Sequence, residues 1–172
     1  LGMVYTQQEL ADLYATCQKY QLRLFIDGAR LGYGLMSEAC EYDLPYVAEH
    51  CDVFYIGGTK VGAMFGEAVV FSGMKAPKYF FTNVKRHGAL LAKGRMLGIQ
   101  FDTLFTDELY FKISKHAINM AAGIRKIFAK HNIPLSYDSP TNQQFVILSP
   151  TLYQALSKLV AFEIWEKKNE QE

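Results

Sequence analysis

Lys60 closes the segment Asp52-Val53-Phe54-Tyr55-Ile56-Gly57-Gly58-Thr59-Lys60-Val61-Gly62, where an apolar run meets two glycines and then a single amine. Upstream, the apolar run Leu22-Arg23-Leu24-Phe25-Ile26 ends in Asp27-Gly28-Ala29-Arg30. A lysine attacks a carbonyl only when neutral, and a partly desolvated, glycine-lined strand exit favours that form. An aspartate at the end of a neighbouring buried strand, where α/β folds place ligands, can keep a heteroaromatic nitrogen protonated. The two groups together suit chemistry on a carbon that bears an amine. A phosphate-binding P-loop is excluded, because Lys60 follows Thr59 rather than the glycine that GxxxxGK[ST] requires.

A lysine for a Schiff base and a carboxylate for a ring nitrogen are what pyridoxal 5'-phosphate demands of a protein. Ala29 is small enough for a flat ring to rest on it. Arg30 has the fork geometry to hold a phenolic oxygen or a substrate carboxylate. Arg95, between Gly94 and Met96, could reach a phosphate. Each residue also has a plainer reading: a loop lysine, a turn or cap aspartate, a surface salt bridge, an exposed helix arginine. The order Asp-x-Ala-Arg followed by Thr-Lys-x-Gly is more specific than any one of them. His87 and His116 receive no role. Cys17, Cys40 and Cys51 are odd in number and lack CxxC spacing, so they read as reduced thiols in a cytoplasmic protein, with no metal site.

The elements that must position these residues follow from periodicity. Thr6 and Glu9 form a capping box ahead of Leu10, Leu13, Tyr14 and Cys17 at one-face helical spacing. Strands are expected at Leu22–Ile26, Val53–Ile56 and Ala68–Phe71, with a helix over Ser37–Glu49 interrupted by Pro45. The first two strands should be parallel, joined by a right-handed crossover. The link to the third is too short for a helical crossover, so that strand should run antiparallel. Helices follow from His87 to Phe105 and along the face Ile113, Ala117, Met120, Ala121, Ile124, Ile127 and Phe128, ending at Asn132 and Pro134. A last strand, Phe145–Leu148, leads to a helix capped by Ser149 and running from about Thr151 to Trp165. The Pro-, Ser- and Asn-rich stretch from Ile133 to Gln143 marks the expected boundary between an α/β part, 1–132, and a smaller α+β part, 133–172.

A length of 172 residues, half of them apolar, supports a packed core, and a net charge of +1 gives no electrostatic reason to expect nucleic acid or an anionic membrane as partner. No apolar run reaches the ~20 residues that a bilayer needs. Only the polar stretch Glu166–Glu172 looks like a disordered tail. The opening Leu1-Gly2-Met3-Val4-Tyr5 reads as the middle of a longer polypeptide.

Asp27-Gly28-Ala29-Arg30-Leu31 resembles the D-G-A-R-L segment of the threonine aldolase and β-eliminating lyase branch of fold-type I pyridoxal phosphate enzymes. Gly58-Thr59-Lys60-Val61-Gly62-Ala63 is similar to that family's S-K-G-L-G-A segment. Gly94-Arg95-Met96 is a weaker match to its G-G-M-R-Q helix, and Thr141-Asn142 fits as well. The resemblance covers nearly all of this chain but only the middle of a full family member. It implies an α/β fold, part of an aspartate aminotransferase-like large domain with a mostly parallel sheet, plus the start of a small domain.

By that resemblance Lys60 forms the internal aldimine and shuttles protons, and Asp27 pairs with the pyridinium nitrogen. Ala29 packs beneath the ring, Arg30 contacts the phenolic oxygen and substrate carboxylate, and Thr59 completes the cofactor set. Arg95 reaches the phosphate, in a homodimer or homotetramer with shared active sites. The implied reaction cleaves a β-hydroxy amino acid such as L-threonine to glycine and an aldehyde. β-Elimination or transamination is the alternative on the same cofactor. A non-catalytic α/β module, binding a partner through Lys75, Lys78, Lys85, Arg86 and Lys93, is the alternative of another class. Thr59 stands for the usual serine, Met96 for glutamine and Tyr33 for asparagine, which bears on substrate more than cofactor. The phosphate loop, the ring-stacking aromatic and the substrate-anchoring arginine have no counterpart here. The 172 residues alone are therefore expected to bind cofactor weakly and to be inert.

Overall fold

The first helix starts where its capping residues dictate. The Thr6 hydroxyl accepts from the Glu9 amide (3.2 Å), and the Glu9 carboxylate accepts from the Thr6 amide (2.8 Å), opening α1 at Gln7–Lys19. This computed structural model describes residues 2–166; Leu1 and 167–172, most of the expected disordered tail, lie outside the described residues.

The next strand is shorter than its apolar run. β1 holds only Phe25–Ile26, because the buried Asp52 carboxylate takes the Leu24 amide (2.9 Å) together with the Arg23 guanidinium (2.9 Å). A side chain thus occupies the donor that a longer ladder would use. Of the helix expected over Ser37–Glu49 only the second half forms, as α3 (Leu44–Glu49), while a separate short helix, α2 (Leu31–Leu35), precedes it. Pro45 does not interrupt a helix. It sits in the first turn of α3, where its missing N–H costs nothing, and Asp43 caps that turn by accepting from the Tyr46 amide (3.0 Å).

β2 (Val53–Gly57) lies between β1 and β3 (Glu67–Phe71). It pairs parallel with β1, Phe25 opposite Val53, and antiparallel with β3, Tyr55 opposite Val69. The fold is α/β, as expected, and the third strand runs antiparallel as its short connection requires. Within the described residues the sheet is mixed rather than mostly parallel.

Helix α4 (Phe80–Arg86) precedes α5 (Arg95–Phe105), so the helix expected from His87 begins eight residues later. Asp107 and Glu108 adopt left-handed backbone (φ 50° and 58°) and turn the chain into α6, Leu109–Lys130. α6 buries Tyr110, Ser114, Ile118 and Ala121, a stripe rotated from the expected one. Ile113 and Ala117 are half-buried, while Met120, Ile124 and Ile127 are exposed. The apolar stripe is wider than what α2 and α5 cover. Phe54, Ile56, Val61, Leu104, Tyr110 and Ile118 form the heart of the core.

Beyond Asn132 the expected strand Phe145–Leu148 reduces to one bridge, Leu135 to Val146. Ser149 caps α7 (Pro150–Leu156) through the Leu152 amide (3.3 Å), and the helix ends at Leu156 rather than Trp165. Arg125 pairs with Asp138 (2.9 Å), and the Ser37 hydroxyl donates to the Pro140 carbonyl (2.9 Å), fastening this stretch to the first part. No helix among the described residues is long and apolar enough to cross a membrane.

Candidate active site

The parallel register that pairs Ile26 with Phe54 sets Asp27, one step further, beside Tyr55. The Tyr55 hydroxyl donates to Asp27 Oδ1, and the Ala29 amide donates to the same oxygen (3.0 Å). These two donors, Tyr55 the stronger, hold the Asp27 carboxyl below the usual aspartate range, helped by the charges of Lys60 and Arg30. The same bond pushes the Tyr55 phenol up to about 12, so near neutral pH the tyrosine donates and the aspartate accepts.

The two strand exits touch through bare backbone. The Gly57 amide donates to the Gly28 carbonyl (2.9 Å), and a methyl group on Gly28 would overlap the Tyr55 carbonyl oxygen. Only glycine permits that approach. Tyr110, fully buried on α6, straddles the junction. Its hydroxyl donates to the Gly57 carbonyl (3.0 Å) and accepts from the Gly32 amide (3.1 Å). Burial pushes its phenol up to about 12, which keeps the donated proton in place.

The loop bearing Lys60 is fixed from both sides. The Gly58 carbonyl accepts from the Val61 (2.9 Å) and Ala63 (3.0 Å) amides, making a compact turn. The Glu67 carboxylate on β3 accepts from the Gly58 amide (2.6 Å) and the Thr59 hydroxyl (3.1 Å). On the other side Tyr33, buried in α2, donates its hydroxyl to the Lys60 carbonyl. The main chain of Lys60 is thus clamped while its side chain stays exposed. That exposure differs from the desolvated setting that the glycine-lined exit suggests, because no part of the described chain covers the amine.

Asp27, Ala29, Arg30, Thr59 and Lys60 therefore meet at adjoining strand exits. Arg30 is half-buried at the start of α2, its carbonyl accepting from the Gly34 amide (3.1 Å). The Thr59 hydroxyl is taken up by Glu67. Arg95 is not brought into this group by any hydrogen bond or ion pair among the described residues; it is exposed at the first residue of α5. Surface depressions of about 440 and 260 Å³ are lined by residues such as Ile133 and Leu152, and Ile118 and Thr141. Neither includes Asp27, Arg30 or Lys60, so the candidate groups stand on an open face. The basic residues Lys75, Lys78, Lys85, Arg86 and Lys93 are exposed, with Lys78 over the Tyr79 ring at 5.3 Å.

Sequence reasoning missed Tyr55, Glu67 and Tyr110, and it saw Tyr33 only as a departure bearing on substrate. Tyr33 braces the main chain of Lys60. Tyr55 had a usable signal: it sits five residues before Lys60 on a strand paired in parallel with the one that ends at Asp27. Tyr110 had none, since its partners are distant in sequence.

A family model described as beta-eliminating lyase matches residues 1–148. Two curated proteins named low specificity L-threonine aldolase are similar to the chain. One, from a Pseudomonas species, is 31% identical over 163 residues, covering 91% of this chain and 45% of the relative. The other, from Pseudomonas aeruginosa, is 30% identical with the same coverage. The solved structure of Leishmania major threonine aldolase superposes with a TM-score of 0.94 at 38% identity, over 97% of this chain and 49% of that one. The chain spans about half the length of the relatives it matches.

Proposed function

The chain belongs to the beta-eliminating lyase family, and on that premise we propose that it carries the lysine–aspartate half of a pyridoxal 5'-phosphate-dependent aldolase. The substrate is a β-hydroxy amino acid such as L-threonine, cleaved to glycine and an aldehyde. The observation that carries this reading is the meeting of Lys60 and Asp27 on adjoining strand exits, the lysine main chain clamped and the carboxylate held ionised. The donor chemistry suits the cofactor. Lys60 offers a primary amine with no partner among the described residues, and Asp27 offers an anionic oxygen, Oδ2, that no described donor occupies.

When bound, the cofactor supplies a ring that accepts the electrons released as a substrate bond breaks. Lys60 attaches the cofactor through its amine and carries protons at Nζ. Asp27 Oδ2 keeps the ring nitrogen protonated. Ala29 supports the ring, Arg30 orients the phenolic oxygen and the substrate carboxylate, and Thr59 contributes beside Lys60. Arg95 serves the phosphate, in a homodimer or homotetramer with shared sites. Residues 1–132 belong to the cofactor-binding domain, and 133–172 begin a smaller one. The setting is cytoplasmic. The 172 residues alone bind cofactor weakly and do not turn over.

The test uses full-length protein loaded with pyridoxal phosphate. Visible absorbance that disappears in Lys60→Ala, with glycine and acetaldehyde formed from L-threonine, supports the reading. A spectrum independent of Lys60 contradicts it. Elimination or transamination products from threonine, serine or an aromatic amino acid would keep the cofactor and replace the reaction.

A further inference from the structure

We propose that Tyr55 is a positioning residue for the cofactor: its hydroxyl fixes Asp27 Oδ1 so that Oδ2 alone is presented to the ring nitrogen of a bound pyridine. This rests on the reading above and extends it to a residue outside the set that contacts cofactor.

Asp27 has two donors, both on Oδ1. The Ala29 amide, two residues along the same loop, makes the local turn that an aspartate forms with its own backbone. Such a contact moves with the loop that carries it. Tyr55 is different in kind, because its backbone lies in the middle of the sheet, opposite Val69, and its ring packs on Phe25 with centroids 6.0 Å apart. Its hydroxyl therefore refers the carboxylate to the strand ladder instead of to the loop.

The cations cannot take over this task. Lys60 and Arg30 both face Asp27 and lower its proton affinity, yet neither forms an ion pair with it among the described residues. Glu67 is the other charged group facing Tyr55, and it is committed to the Gly58 amide and Thr59 hydroxyl. Tyr55 is thus the one side chain among the described residues that hydrogen-bonds Asp27. With Oδ1 occupied twice, the carboxylate has one lone oxygen and one orientation in which to meet a ring N–H.

The experiment measures cofactor dissociation constants against pH for full-length wild type, Tyr55→Phe, Asp27→Asn and the double variant. Tyr55→Phe keeps the ring and its packing on Phe25, and an unchanged melting temperature verifies the fold. It should weaken cofactor binding about three- to tenfold, the size of one charge-assisted hydrogen bond in a partly exposed place. The acid limb of binding should move to higher pH, since Asp27 loses the donor that holds its carboxyl low. In the Asp27→Asn background the same change should add less than about twofold, because its effect runs through the carboxylate. The Lys60-dependent absorbance should persist in Tyr55→Phe. Unchanged affinity and acid limb, or an equal loss with and without Asp27, overturns the proposal while the functional reading stands. A wild-type spectrum independent of Lys60 overturns both.

Discussion

The two arms of the proposed site, the strand exits that bring Asp27 and Lys60 together and the start of α5 that carries Arg95 apart from them, are built differently. At the strand exits, Asp27 and Lys60 rise from backbone tied by Tyr33, Tyr55, Glu67 and Tyr110, contributed by α2, β2, β3 and α6. At the other arm, Arg95 starts a helix whose preceding residue, Gly94, provides no side-chain cap. The ties of α5 come further along, where Gln100 accepts from the Met64 amide (2.7 Å) and donates to the Phe65 carbonyl (3.1 Å). Strand exits braced from several elements can hold reacting groups in fixed geometry, whereas an arginine at an uncapped helix start keeps its rotamer freedom.

That contrast can be broken first at the backbone contact. Gly28→Ala sets a methyl against the Tyr55 carbonyl, neither side able to yield without parting the strands. It should cost more than about 3 kcal/mol or prevent folding, read by urea denaturation. Tyr110→Phe is milder. It leaves the Gly32 amide without its buried acceptor, worth about 2 kcal/mol by the same measurement. Arg95→Gln should leave stability within about 0.5 kcal/mol, as for an exposed residue with no partner to lose among the described residues, while weakening cofactor binding. A stability loss as large as that of Tyr110→Phe would erase the distinction between the arms.

The smallest expected effect is on pH dependence. The Asp27 carboxyl lies below its ordinary value of 3.8 in the folded chain. Its share of stability is therefore fully present above that value and is lost as pH falls through the lower, folded one. Acid denaturation midpoints of wild type and Tyr55→Phe should differ in that direction, the variant losing its share at higher pH.

Legibility in the sequence followed the range of the contacts. Thr6 and Glu9 were readable because a capping box is closed within four residues. The placement of Asp27 and Lys60 at adjoining strand exits was readable because such exits are punctuated by glycine. The length of β1 was not, since Asp52, far along the chain, takes the Leu24 amide. Pro45 was misread as an interruption because the capping role of Asp43 went unnoticed. On α6 the periodicity gave a stripe, but which side of it meets α2 depends on Tyr110 reaching Gly32 and Gly57. The braces Tyr33, Tyr55 and Glu67 act between elements, and a single sequence carries no register.

The central claim is that Lys60 is the residue that takes the cofactor. Borohydride reduction of the pyridoxal phosphate-loaded full-length protein, followed by peptide mapping, tests it most directly. The account predicts the stable adduct on the peptide containing Gly58-Thr59-Lys60 and on no other. An adduct on a different lysine, such as Lys75 or Lys93, or no adduct in a protein that retains lyase activity, would contradict it.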